Sequence, residues 1–171
     1  MVLRILLFIL FSQLLNASQG VYIIVHGTWA SKSAWSKPGG DFFDALEAVA
    51  AHHDCCVVSY TWSGKIDNKS RQHSAKGLAK LIASYPEDMN IFLVCHSHGV
   101  NVGILACKEL ENTNRHIAAF YALAAPVNTH SYMPPMNSIN YFYCFFSFND
   151  LVQTCSACMR AYIQNIRTLQ I

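Results

Sequence analysis

The chain has 171 residues, 53% of them hydrophobic and 13% charged, with a formal net charge of +2. That length suits one domain with a sizeable core, and the charged share is well under the usual ~25%. Such a composition excludes the strongly basic surface on which nucleic-acid binding depends, and no repeat or low-complexity segment points to a fibrous or disordered class.

At the N-terminus, Arg4 is followed by an uncharged apolar stretch from Ile5 to Leu15, broken only by Ser12 and Gln13, and then by the small residues Ala17, Ser18 and Gly20. A positive charge, a short apolar segment and small residues, in that order, make a secretory signal peptide. The stretch is shorter than the ~20 residues that cross a bilayer. Residues 1–20 are therefore expected to be removed near Ala17 to Gly20, which leaves a domain over residues 21–171 and an exported protein, periplasmic or secreted. An uncleaved membrane anchor and an N-terminal core element are the competing readings.

Strands and helices then alternate. The run VYIIV, Val21 to Val25, is a buried strand. Asp41 to His53 is a helix, with Asp41 placed to cap it after Gly39 and Gly40. CCVVSY from Cys55 is the next strand. Lys69 to Ser84 is an amphipathic helix that turns Leu78, Leu81 and Ile82 inward and stops before Pro86. Ile91 to Cys95 is again a short apolar strand, Ser97 follows at once, and from Val100 onward apolar residues recur at helical spacing. HIAAFYALAAPV holds a strand closed by Pro126, and Ile139 to Phe148 forms another. Asp150 to Tyr162 reads as a helix, and NIRTLQI as a last strand. This order implies a doubly wound, mostly parallel sheet of about six strands with helices on both faces and its site at the carboxyl ends of the strands.

Seven cysteines stand at 55, 56, 95, 107, 144, 155 and 158. The odd count leaves at least one free thiol, and Cys95, Cys107 and Cys144 fall in expected core elements, where cysteine acts as a small hydrophobe. Cys155 and Cys158 have C-x-x-C spacing without a second pair, and HHDCC is better read as a helix end, a turn at Asp54 and a strand start. No metal site and no cofactor are expected.

Ser97 carries the chemistry. A tight turn from strand to helix lifts its hydroxyl above the sheet edge, aims the first helical N–H groups beside it, and needs Gly99 because a Cβ there would crowd the turn. CHSHG, Cys95 to Gly99, thereby resembles the nucleophile elbow of the α/β-hydrolases, usually G-x-S-x-G, with Cys95 in place of the first glycine. HGTWA, His26 to Ala30, resembles the segment this superfamily sets beside its nucleophile, and GTWASKSAWSKPGGDFFDALEA with SYTWSGKIDNKSRQHSAKGLAKLI is similar to a group of compact, mostly uncharacterised members.

The resemblance implies a minimal, lid-poor α/β-hydrolase fold without a cap domain, since the loop from Asn128 to Ser138 is too short for one. It implies lipase- or esterase-type hydrolysis of a small-molecule or lipid ester through an acyl-enzyme on Ser97. The backbone N–H of His98 and that of Thr28 or Trp29 would form the oxyanion hole. Asp150 would be the triad acid, and Trp29, Trp35, Trp62 and Ser63 would rim the pocket. His26 is expected to be buried and hydrogen-bonded, supporting its loop without titrating in catalysis, and His96 to be structural. The superfamily places its base after the acid, but the last histidine here is His130. The domain is therefore expected to be incomplete at its C-terminal end and weakly active or inactive as written, with His130 the only stand-in base. The alternative is a catalytically impaired or non-catalytic remnant of the same fold. Association with a membrane surface and the oligomeric state stay open.

Overall fold

The structure, a computed structural model, describes residues 19–125, 131–146 and 167–170. The expected leader up to residue 18, the helix from Asp150 to Tyr162, and the residues His130 and Asp150 lie outside them.

Six strands and three helices are present among the described residues: β1 (Gly20–Val25), α1 (Asp41–Ala51), β2 (Cys55–Tyr60), α2 (Asn68–Ala83), β3 (Asn90–His96), α3 (Gly99–Glu109), β4 (Ala119–Leu123), β5 (Phe142–Phe146) and β6 (Arg167–Gln170). The strands form one sheet in the order β2-β1-β3-β4-β5-β6, and every neighbouring pair is parallel.

A parallel sheet covered on both faces needs strands that are apolar at every position, and β1 is buried along its whole length. Successive side chains point to opposite faces. Val21, Ile23 and Val25 join Leu78 and Ile82 of α2 and Val100 and Ile104 of α3 in one layer, while Tyr22 and Ile24 join Phe42, Phe43 and Leu46 of α1 in the other. Helices on both faces make this a doubly wound sheet, and the described residues include no cap domain. Because β1 lies between β2 and β3, the chain leaves it toward one side and then returns to the other. That reversal falls at the carboxyl ends of β1 and β3, where sheets of this kind hold their ligands in a crevice.

Several boundaries differ from expectation. Gly20 is the first residue of β1, one residue before the expected strand start at Val21, and is in register with Cys55 and Asn90. Gly40, not Asp41, occupies the cap of α1, because a Cβ at Gly40 would lie 2.0 Å from the Ala34 carbonyl oxygen. Asp41 sits instead in the first turn, where its charge faces the positive end of the helix. α2 starts at Asn68, since Asp67 caps it by accepting the Ser70 N–H at 2.8 Å. Ile139, expected inside β5, makes only an isolated bridge to Ile117.

Candidate active site

Ser97 follows the last residue of β3 and adopts φ +52. A non-glycine residue in that left-handed region costs about 1–3 kcal/mol, and the surroundings over-determine it. Its N–H donates to the Leu123 carbonyl at 2.8 Å, and its carbonyl accepts from Val100 N–H at 3.0 Å. The first of these bonds ties the turn to β4, and the second starts α3. The strand therefore becomes a helix with only Ser97 and His98 between them, and the serine is left half-exposed at the carboxyl edge.

Two glycines let the loop after β1 press against this turn. A Cβ at Gly99 would stand 2.5 Å from the carbonyl oxygens of both Val25 and His26, and one at Gly27 would stand 2.8 Å from the Ser97 Cβ. Real Cβ atoms do not come so close to backbone or Cβ atoms, so both positions require glycine and together they bring the Gly27–Thr28 segment against Ser97. Gly103 has a related role further along α3, where a Cβ would lie 2.7 Å from Cys95 Sγ and 2.8 Å from the Phe120 ring. Cys95 thus fills the place of the elbow's usual first glycine by using space that Gly103 leaves. Its thiol is fully buried, and burial holds its pKa far above the ordinary value, so it stays protonated and inert.

Of the two donors expected from the β1 loop, Trp29 is excluded. Its N–H donates to the Gly64 carbonyl at 3.0 Å, which locks the loop to the turn after β2 and fixes Trp29 at φ +58. The backbone N–H of Thr28 remains, and with that of His98 it has no backbone acceptor among the described residues.

His26 is fully buried. Trp62 N–H donates to its Nε2 at 3.1 Å, so the proton sits on Nδ1, which donates to the Gly27 carbonyl at 2.8 Å. The Trp62 indole N–H in turn donates to the His26 carbonyl at 2.7 Å, and the two rings stack with centroids 5.7 Å apart. Burial foremost lowers the His26 pKa, and its neutral form already uses both nitrogens. It braces the loop and has no nitrogen left to act as a base. His96 packs edge-on against Trp35, with centroids 5.3 Å apart, beneath the turn. His98 accepts from Asn101 Nδ2 at its Nδ1, 3.1 Å away, which leaves the proton of the neutral ring on Nε2. Burial first, and the nearby Arg71 charge second, lower its pKa. Neither His26 nor His98 therefore offers a free acceptor nitrogen to Ser97.

The expected rim divides. Trp29 is 81% exposed and Ser63 is exposed. Trp62 is 5% exposed and packs into the core, with its indole held by the His26 carbonyl. Trp35 is half-buried between His96 and Phe42 and supports the turn from below. The expected acid Asp150 and stand-in base His130 lie outside the described residues.

Three contributors stand apart from the residues expected from sequence. Gly64, at φ +66, supplies the carbonyl that commits Trp29. Asn101 orients His98, and its position one helical turn onward is the signal that could have identified it. Arg71 is buried and donates from Nε to the Tyr132 hydroxyl at 3.0 Å and from Nη2 to Asn68 Oδ1 at 2.6 Å, pinning the segment after β4 to α2. Among the described residues no three His, Cys, Asp or Glu side chains gather as a metal site, and no helix is long and apolar enough to cross a membrane.

Residues 22–153 match the alpha/beta hydrolase family. Among solved structures, the crystal structure of the metagenomic carboxyl esterase MGS0156 is similar, with a TM-score of 0.54 and 13% identity over 75% of this chain and 50% of that one. At that identity the likeness concerns the fold, and this chain spans half the length of that esterase. No curated protein matches.

Proposed function

The chain belongs to the alpha/beta hydrolase family, and on that premise we propose that it is a serine hydrolase of lipase or esterase type acting on carboxylic esters through an acyl-enzyme on Ser97. The observation that carries the reading is Ser97 itself, held at φ +52 between strand and helix with Gly27 packed against it. In the reaction, Ser97 Oγ attacks the ester carbonyl carbon as its proton passes to a base. The negative charge that grows on the carbonyl oxygen is met by the N–H groups of His98 and Thr28, each such donor being worth ~2.7–4 kcal/mol in the transition state. Collapse of the tetrahedral intermediate breaks the bond to the alcohol oxygen, which takes the proton from the base, and water then releases the acid by the reverse sequence.

Asp150 is assigned the role of orienting the base, and His130 is the one histidine of this sequence proposed for the base itself. A second reading, an impaired or non-catalytic protein of the same fold, is favoured by one observation: neither His26 nor His98, the histidines described beside the Ser97 turn with their ring partners, has a free acceptor nitrogen.

Steady-state hydrolysis of p-nitrophenyl esters and labelling by a fluorophosphonate separate the two. The expected result is slow turnover with labelling at Ser97, both lost in Ser97→Ala and reduced in His130→Ala. Removing the nucleophile of an efficient triad costs about 10⁶-fold, and an oxyanion hole leaves ~10³-fold over water, so the fall here is to that residual rate. Turnover that survives Ser97→Ala overturns the assignment of the nucleophile. A folded protein that neither labels nor turns over establishes the second reading.

A further inference from the structure

A concavity of about 510 Å³ lies on the flank of edge strand β2, between the turn that follows it and the first half of α2. It shares no lining residue with the Ser97 turn or with Thr28. Its walls are basic. Lys65 comes from the turn, while Lys69 and His73 stand one helical turn apart on the same face of α2, and all three are exposed. Among the described residues no aspartate or glutamate lines it, and Asp67, near enough to Lys65 to feel its charge, turns its carboxylate to Ser70. In a chain with a net charge of only +2, this is a local concentration of cations and not a general property of the surface.

The shape is built as well. Gly77 continues the Lys69–His73 face, and a Cβ there would lie 2.5 Å from the Tyr60 hydroxyl, so glycine keeps the cleft open. The Tyr60 hydroxyl donates to the Ser74 carbonyl at 2.7 Å and fixes the floor. The helix terminus is not the attraction, because Asp67 already caps it, accepting the Ser70 N–H at 2.8 Å and the Ser70 hydroxyl at 2.9 Å. What remains to receive a ligand is the pair of ammonium groups, the imidazole and the hydroxyls of Thr61 and Ser63.

We propose that this cleft binds the phosphoryl group of an anionic ligand. A phosphate monoester carries about −1.5 to −2 charges near neutral pH and three acceptor oxygens, which matches two lysines and flanking hydroxyls better than a single carboxylate charge does. The volume exceeds that of phosphate alone and falls within the ~300–1,000 Å³ typical of small-ligand sites, leaving room for an organic portion. The phosphoryl group can belong to a soluble monoester or to a lipid headgroup. The site touches the Ser97 region through two links already described: Gly64, between Ser63 and Lys65, holds the Trp29 N–H, and Trp62 on the cleft wall holds His26. The proposal concerns binding and stands whether or not Ser97 is catalytic.

Isothermal titration of the full chain with phenyl phosphate is the direct test, alongside co-sedimentation with phosphatidylcholine vesicles with and without phosphatidic acid. Saturable binding is expected, weakened about tenfold or more in the Lys65→Gln/Lys69→Gln double variant. Lys80→Gln lies on the same helix outside the cleft and removes one charge, and it is expected to bind as the parent does. Both cleft lysines are exposed, so the double variant should fold, and its melting curve checks this. Phenyl phosphate binding alone assigns a soluble ester. Sedimentation that needs both phosphatidic acid and the two lysines assigns a headgroup. No saturable binding of either probe, or equal binding by the double variant and Lys80→Gln, overturns the proposal.

Discussion

The two edges of one parallel sheet are built to different rules. At the amino edge the connections relax into ordinary hydrogen bonding: Asn90 N–H donates to the Gln19 carbonyl at 3.2 Å, Ile117 N–H to Ser138 at 2.8 Å and Ala118 N–H to Ile91 at 2.9 Å. Among the described residues, the only non-glycine with positive φ there is Asp54, at +53. At the carboxyl edge Trp29, Ser97 and Ala124 all have positive φ, as does Gly64, and Gly27 and Gly99 close the gap between two loops to contact distance. The same strands feed both edges, so strand propensity does not explain the contrast. Strain persists only where the surroundings over-determine it, and it gathers at the edge that holds Ser97.

The strongest way to break that contrast is Gly99→Ala. Its Cβ would meet two backbone oxygens at 2.5 Å, with no flexible side chain to yield. The expected loss is about 3 kcal/mol or more of unfolding free energy in urea, or failure to fold. A variant as stable as the parent would show that the crevice is looser than described.

A smaller effect sharpens the comparison. Replacing Ser97 or Asp54 by glycine relieves the same backbone penalty at opposite edges, so each variant should gain about 1 kcal/mol by urea unfolding. Only Ser97→Gly should abolish fluorophosphonate labelling, whereas Asp54→Gly should leave it intact. A destabilised Ser97→Gly would mean that the hydroxyl contributes to stability, against the view that this edge trades stability for reactivity.

The gentlest probe is pH. The folded pKa values of His26 and His98 lie below the ordinary 6.5, chiefly through burial. The unfolded chain therefore binds more protons, and stability is full above about pH 6.5 and declines as pH falls below it. Thermal melting from neutral to mildly acidic pH should show this decline, less steep in His98→Gln. A stability that rises on acidification would contradict both environments.

Much of the sheet and the elbow is legible in the sequence because buried parallel strands are locally continuous apolar runs, and because a serine between such a run and a glycine admits few geometries. The details that escape depend on pairings across the chain. Trp62 looks like an exposed loop aromatic until the carbonyl of His26 is found to hold its indole. Trp29 and Thr28 are equivalent as donors in sequence, and only the Gly64 carbonyl distinguishes them. Gly40 displaces Asp41 from the cap because of Ala34, a neighbour that periodicity does not reveal. Arg71 shares the inward face of Leu78 and Ile82, but its charge gives no sign that Tyr132 from beyond β4 meets it there.

The contact between Cys95 and Gly103 also constrains how this sequence can change over time. The sulfur of one occupies the volume that a methyl group would need at the other, beside a Phe120 ring that closes the third side. The two positions and the Phe120 ring therefore share one volume. A lineage that widened the elbow residue from glycine to cysteine had first to hold, or to acquire, glycine on the helix above. Having made the change, it can restore an alanine there only by shrinking the elbow residue and also moving the Phe120 ring, which a Cβ would meet at 2.8 Å.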